Sequence, residues 1–330
     1  MVTFGVLPAL LKYHVTDCVK RAVELDRAGF DVLWEGDHFL PWYHTDGHAA
    51  DAAIALATYL PSIKAKVGWM GCPCIRQQPV DVALRMSTMA SLYPGRAILA
   101  VGIGEPMNEQ AATGRWPPTK ERMERLAESI ELMRRLWNDK EFFHFKGKYF
   151  DTQGLIYDKP AKPIPIYVAA SGKRMMAIAG KYGDGFITIS RPSFIQDTLI
   201  PTFEESAKKA GKDPRKLEKC AWVAVSYHPD LEKAFKLARR FAGIILPEGY
   251  TTEFDPRTIE KGALSVPDET IKEVFIIATK PDDIISGVER YIKAGITHVI
   301  LDETSPDPWI TPKVYREEVI PYFKEQYGHD

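Results

Sequence analysis

The sequence predicts a parallel α/β fold and, within that class, a (β/α)8 TIM barrel rather than a doubly wound sheet. Eight short apolar runs alternate with amphipathic helical stretches along 330 residues, the pattern of strand–helix units on a parallel sheet. Two of the runs, Ala97–Val101 and His298–Leu301, are apolar without interruption, as strands covered on both faces should be. No repeat, low-complexity stretch or linker divides the chain, so residues 1–330 read as one domain of ordinary barrel size. Pattern alone leaves the doubly wound arrangement open.

The first strand is predicted at Phe4–Leu7, followed by a helix over Thr16–Ala28. Strands at Asp31–Trp34 and Lys66–Met70 come next, the latter leading into a helix over Val80–Tyr93. After the fourth strand, Ala97–Val101, the residues Met123, Leu126, Ile130, Met133, Leu136 and Trp137 recur at helical spacing with Arg, Glu and Asn on the other side. Strands at Ile166–Ala170 and Gly185–Ile189 enclose a helix over Arg174–Tyr182. The seventh strand, Cys220–Tyr227, precedes a helix over Lys233–Phe241, and the eighth is His298–Asp302. The longest insertions after strands are Gly102–Lys120, Glu141–Pro165 and Leu246–Pro267. In the middle one, Phe142–Phe145 and Gly147–Phe150 read as a hairpin around a Lys-Gly turn.

Composition narrows the function classes. Lysine and arginine total 43 against 44 aspartates and glutamates, a formal net charge of −1, with 45% hydrophobic and 26% charged residues. A general nucleic-acid binder would show a basic excess or stripe, so no nucleic-acid partner is expected. No window approaches the ~18 apolar residues of a membrane span, and no membrane partner is expected. The start, Met-Val-Thr-Phe-Gly-Val-Leu-Pro, lacks the basic-then-apolar order of a signal peptide. Cys18, Cys72, Cys74 and Cys220 form no CxxC pair, which fits a cytoplasmic protein without a zinc site. Charge balance still allows a local basic pocket for an anionic small ligand.

In a barrel the chemistry belongs at the C-terminal ends of strands. After the second strand comes Glu35-Gly36-Asp37-His38-Phe39-Leu40-Pro41-Trp42-Tyr43-His44, with His48 beyond. A histidine beside an aspartate suits proton transfer near neutrality, and Trp42 offers a flat wall with an N–H donor. The bland alternative is that His38 and Trp42 only pack a loop. A metal site lacks a companion carboxylate–histidine motif. The fourth strand ends in Val101-Gly102-Ile103-Gly104-Glu105, whose glycines permit close ligand approach. Met107 occupies the last glycine position of a G-x-G-x-x-G fingerprint, which weakens a dinucleotide reading. Glu105 is a candidate acid or base, or else an exposed loop carboxylate. Ser171-Gly172-Lys173-Arg174 opens a helix after the fifth strand, either as an anion cradle or as an ordinary capped start. Arg191 follows the sixth strand as a further cation.

The string Asp37-His38-Phe39-Leu40-Pro41-Trp42 resembles that of the deazaflavin-dependent members of the bacterial-luciferase-like superfamily, in particular F420-dependent secondary alcohol dehydrogenases and glucose-6-phosphate dehydrogenases. The resemblance continues through Tyr93–Arg96, Val101–Glu109, Trp116-Pro117, Leu136-Trp137, Ile166–Gly172 and Gly183–Phe186, over nearly the whole chain. It implies a luciferase-like TIM barrel binding coenzyme F420, a homodimer, and hydride transfer between a small-molecule alcohol or sugar substrate and the deazaflavin. The family's catalytic His, Trp and Glu fall on His38, Trp42 and Glu105. Cofactor contacts fall on Asp37, Trp69, Met70, Cys72, Ile103, Gly104, Asn108, Ser171, Gly172, Lys173, Arg174 and Met175. Substrate contacts fall on Ile189 and Arg191. A non-proline cis peptide is implied between Trp69 and Met70, in a bulge after the third strand.

Departures from the family bear on the substrate. The sugar-phosphate enzymes surround the phosphate with three cations, at positions that here hold Pro192, Tyr250 and Val274. Asp268–Glu273 and the stretch around Ser305-Pro306-Asp307 look closer to the alcohol dehydrogenase, yet a glutamate of that enzyme is Leu11 here. The leading expectation is an F420-dependent secondary alcohol dehydrogenase in which His38, oriented by Asp37 or another nearby acceptor, removes the hydroxyl proton. Alternatives are a sugar-phosphate dehydrogenase, an FMN-dependent luciferase-like monooxygenase, or a non-catalytic F420-binding protein.

Overall fold

The computed structural model describes residues 2–328 and closes the eight predicted strands into a parallel barrel. The first half contains β1 (Thr3–Val6), α1 (Val15–Ala28), β2 (Val32–Gly36), α2 (Ala52–Tyr59), β3 (Lys66–Gly71), α3 (Pro79–Leu92) and β4 (Ala97–Val101). Then come α4 (Pro106–Thr113), α5 (Thr119–Asn138), a hairpin of β5 (Phe143–Lys146) and β6 (Asp151–Gly154), β7 (Ile166–Ala169), α6 (Lys173–Tyr182) and β8 (Gly185–Thr188). A short α7 (Pro192–Phe194) and α8 (Ile200–Lys209) lead to β9 (Glu218–Tyr227) and α9 (Leu231–Phe241). The chain then forms α10 (Pro247–Thr251), α11 (Pro256–Ala263), α12 (Asp268–Val274), β10 (Ile276–Ala278), α13 (Pro281–Lys293), β11 (His298–Glu303), α14 (Ile310–Val314) and α15 (Ile320–Tyr327).

The barrel runs β11-β1-β2-β3-β4-β7-β8-β9, and β9 closes it against β11 with Cys220 opposite His298. All of these pairings are parallel, which places every strand's C-terminal end at one mouth. The sequence pattern missed β10, a three-residue strand outside the barrel that pairs with the far end of β9, Ile276 opposite Val225. So short a run carries no readable period. The hairpin's second strand lies later than predicted. Gly147–Phe150 is the turn, closed by a Gly147 N–H to Phe150 carbonyl bond of 2.9 Å. Glu128 of α5 holds that turn by accepting the N–H groups of Lys148, Tyr149 and Phe150, a long-range interaction that local sequence does not reveal.

The Trp69–Met70 peptide is trans, and no cis peptide occurs among the described residues, contrary to what the resemblance implied. Both residues sit in unbroken ladders, Trp69 opposite Glu35 and Leu99, Met70 opposite Gly36 and Ala100, with no bulge between them.

Strand alternation sorts the side chains into two layers. Phe4, Leu33, Val67, Leu99, Val168 and Phe186 face the helices and join the main core. Trp34, Ile98, Tyr167, Cys220 and Ile300 fill the barrel interior, where the Trp34 indole N–H lies 3.3 Å from His298 Nε2. Gly68 is glycine because a Cβ there would land on the Trp34 ring. Gly68→Ala is therefore expected to destabilise the fold by about 1–3 kcal/mol, the usual range for overpacking. Gly154→Ala, with nothing within 4 Å of its added Cβ, serves as the neutral control. Equal unfolding midpoints in denaturant for the two variants would overturn this account of the interior.

Helix ends follow the expected chemistry. Asp51, Asp230 and Asp255 cap α2, α9 and α11 by accepting backbone N–H groups. Gly29 ends α1 and Gly114 ends α4 in left-handed conformations. No helix among the described residues is long and apolar enough to cross a membrane.

Candidate active site

The polar residues singled out after the second and fourth strands meet at the barrel mouth. The Asp37 N–H still bonds to the Met70 carbonyl at 3.0 Å, so the chain leaves β2 anchored to β3. His38 Nδ1 donates to the Leu40 carbonyl at 3.1 Å. The Asn108 side-chain amide nitrogen lies 3.3 Å from the same Nδ1. Because the Leu40 carbonyl can only accept, we assign the proton to Nδ1, which leaves the lone pair of the neutral ring on Nε2. Nε2 lies 3.5 Å from Glu105 Oε2. Glu105 directly precedes Pro106, which starts α4, so the carboxyl rides on a rigid strand-to-helix turn. Asn108, in the first turn of α4, ties the two segments together. Its amide donates to Glu105 Oε2 at 2.9 Å, and its carbonyl accepts the Phe39 N–H at 2.8 Å.

Of the two orienters considered for His38, the Leu40 carbonyl is the one in place. The Asp37 carboxylate is taken instead by the Arg76 guanidinium and the Gln77 amide. Arg76 joins this to a second buried carboxyl, because its backbone N–H donates to Glu109 Oε2 at 2.6 Å. One arginine thus links the ends of β2 and β3 to α4.

Burial dominates the electrostatics. It pushes the His38 imidazole down to about 4, against the partial support of the Leu40 carbonyl. It pushes the Glu105 carboxyl up to about 7, against the Asn108 hydrogen bond, and Glu109 likewise to about 7. Asp37 is also raised by burial, with Arg76 opposing. Near neutrality the mouth therefore presents an uncharged imidazole to a carboxyl close to its midpoint, a pair able to move one proton.

An apolar cap covers one side of this pair. Trp42 lies 6.0 Å from His38 and 5.0 Å from Tyr250, ring centre to ring centre. Leu11, Trp42, Met107, Phe241 and Ile271 form a second hydrophobic cluster, with Tyr250 and Val274 packed against it. Buried Lys12 is neutralised by Asp302 from the end of β11, donates to the Glu303 carbonyl at 2.9 Å, and lies over the Phe241 ring.

On another side the backbone is open. Gly104 has φ +77°, where a Cβ would strike the Glu109 side chain, and Ile103 is half-buried beside it. Met70 faces the barrel interior and Cys72 is half-buried. The Trp69 indole is fully buried in the layer between strands and helices, and its backbone lies within the ladders that join β3 to β2 and β4. Beyond β7, Ser171, Lys173 and Arg174 are exposed, and Met175 packs against the core. Gly172 caps α6 with no side-chain bond to the helix N–H groups and no atom within 4 Å of its would-be Cβ. Exposed Ile189 and Arg191 follow β8 at the same mouth. Free helix N–H groups, two cations and bare glycines suit a long ligand with an anionic tail and a flat ring at the mouth.

Sequence reasoning did not single out Arg76, Gln77, Lys12 or Asp302. The polar pair Arg76-Gln77 just before the Pro79 start of α3 was a usable signal, since it stands at a strand's C-terminal end. Lys12 and Asp302 are 290 positions apart and carried no local signal.

Comparison with known proteins identifies the family. The luciferase-like monooxygenase family matches residues 3–298. An F420-dependent glucose-6-phosphate dehydrogenase of Segniliparus rotundus is 35% identical over 317 residues, 94% of each chain. One of Rhodococcus erythropolis is 36% identical over 313 residues, covering 92% of this chain and 93% of its own. Among solved structures, an F420-dependent secondary alcohol dehydrogenase in complex with an F420-acetone adduct superposes with a TM-score of 0.94 at 35% identity, over 100% of this chain and 99% of that one. The chain therefore belongs to the luciferase-like monooxygenase family, alongside its F420-dependent dehydrogenases.

Proposed function

We propose that this protein is a coenzyme F420-dependent oxidoreductase acting on CH–OH donors, and that its donor is an uncharged secondary alcohol. The observation that carries the choice of donor is the apolar cap. Tyr250 and Val274 stand where the resemblance gives the sugar-phosphate enzymes cations, and both pack against the hydrophobic cluster that contains Trp42. Buried Lys12 is already neutralised by Asp302. Arg191 is a single exposed cation, too little to hold a phosphate dianion out of water.

When bound, the cofactor supplies a deazaflavin ring that accepts a hydride. The chain's own work is positioning and proton transfer. Ser171–Arg174 and the Gly102–Gly104 backbone hold the cofactor, and Trp42 sets the alcohol's orientation through its face and N–H. His38 Nε2 accepts the hydroxyl proton as the carbinol C–H bond breaks. Its 3.5 Å distance from Glu105 leaves that lone pair open to a substrate hydroxyl, since catalytic contacts tighten only in the complex. Glu105, once ionised, stabilises the imidazolium and receives its proton.

The names of the relatives favour a second reading, a glucose-6-phosphate dehydrogenase. A screen of secondary alcohols against glucose 6-phosphate, following loss of oxidised F420 absorbance, separates the two. Higher kcat/KM on secondary alcohols is expected. Preference for glucose 6-phosphate would overturn the uncharged donor, and tight FMN binding with oxygen consumption would overturn F420 dependence altogether.

A further inference from the structure

Tyr250 lies on α10, a five-residue helix in the long insertion between α9 and β10. Its ring packs at 5.0 Å and a 52° tilt against Trp42, which in turn meets His38, so a continuous aromatic wall runs from the cap to the candidate base. The backbone on either side is committed to this contact. A Cβ at Gly249 would approach Trp42 Cζ3 at 2.8 Å, and one at Gly243 would approach the Trp42 carbonyl at 3.4 Å. From the opposite side the Trp116 indole donates to the Thr251 carbonyl at 2.8 Å, pinning α10 to the segment that follows α4. The same α4 carries Asn108 and begins directly after Glu105. The Tyr250 ring is thus held in place, while its hydroxyl has no hydrogen-bond partner among the described residues. Burial, followed by the negative charges of Glu105 and Asp302, keeps the proton on that hydroxyl. A fixed aromatic wall of this kind is suited to meeting the carbon skeleton of a neutral ligand.

We propose that Tyr250 is a specificity-determining residue whose ring limits the length of the alcohol. This rests on the alcohol dehydrogenase reading above. A buried methylene is worth roughly fourfold in affinity, so vacating a phenol ring and filling the space with three or more carbons changes the preference by at least about tenfold.

The test compares full-length wild type, Tyr250→Phe and Tyr250→Ala, each loaded with F420, on 2-propanol, 2-butanol, 2-hexanol, 2-octanol and glucose 6-phosphate. In Tyr250→Ala the kcat/KM ratio of 2-octanol to 2-propanol rises at least about tenfold, mainly through KM. Tyr250→Phe keeps the wild-type length preference within about twofold. Calorimetric binding of the matching ketones to the loaded proteins gives the same order without turnover. F420 titration by fluorescence confirms that each variant is folded, and Tyr250→Leu replaces Tyr250→Ala if the latter binds no cofactor. An unchanged length ratio in a variant that still binds F420 overturns the role of Tyr250 alone. Wild-type turnover of glucose 6-phosphate with none of the alcohols overturns the alcohol reading itself, and with it this assignment.

Discussion

His38→Ala lowers alcohol turnover by at least about 100-fold while F420 binding stays intact, the scale on which a positioned proton-transfer group contributes. The reasoning starts from the tautomer. The Leu40 carbonyl engages Nδ1, so the free lone pair is on Nε2, on the side of Glu105. Burial holds the imidazole neutral down to about pH 4, so the base is ready across the physiological range. Alanine removes that acceptor without touching the Gly102–Gly104 backbone or the Ser171–Arg174 helix start. Cofactor affinity by fluorescence titration should therefore move less than about threefold, whereas kcat collapses. His38→Asn separates positioning from proton transfer, because its amide hydrogen-bonds but is not a base at neutral pH. Turnover within tenfold of wild type in either variant would remove His38 from the proton path.

Glu105 governs the pH profile. With its carboxyl raised to about 7, the group is protonated below that value and ionised above it. Alcohol oxidation needs the ionised form to stabilise the imidazolium, so kcat/KM should rise with pH through an apparent pKa near 7 and then level. In the reverse direction, ketone reduction uses the protonated form and falls through the same region. Glu105→Gln should lose the limb near 7 and reduce kcat/KM by roughly 100-fold. Asn108 can still donate to the new amide oxygen, so the geometry is largely retained. Measuring ketone formed across pH 5–9 in both proteins checks this. Persistence of the same limb in Glu105→Gln would assign it to another group, with Glu109, also near 7, the next to replace.

Much of the barrel was legible because its strands are short apolar runs spaced by amphipathic helices. All eight predicted barrel strands form, and α5 buries Leu126, Ile130, Met133, Leu136 and Trp137 of its predicted apolar series, with Met123 half-buried at the helix start. The exceptions share one cause, dependence on distant partners. β10 is three residues pairing with the end of β9, and the hairpin turn is set by Glu128 from another helix. The Trp69–Met70 bond follows the regular ladder of β3 rather than the cis geometry implied by resemblance.

The candidate site divides in the same way. His38, Trp42, Glu105 and Asn108 stood out because they cluster within short stretches at strand ends, where a parallel barrel gathers its chemistry. Their roles did not stand out. Asp37 sits beside His38 in sequence, yet its carboxylate turns to Arg76 and Gln77 while the Leu40 carbonyl orients the ring.

The sequence by itself determined the parallel α/β class, the alternation that builds eight strand–helix units, and the segments carrying the polar chemistry, because these depend on period and local residue type. Only the tertiary structure decided the rest. Asp302 and Glu303 are adjacent, but strand alternation sends one to Lys12 at the mouth and the other to Arg21 against the helices. Burial, which no local pattern states, separates His38 and Glu105 by about three pH units in opposite directions from their ordinary order. Chain closure brings Leu11, Trp42, Tyr250 and Val274 into one apolar cap. A balanced net charge of −1 carries no information about that pocket; the placement of a few side chains in a low-dielectric mouth sets its chemistry.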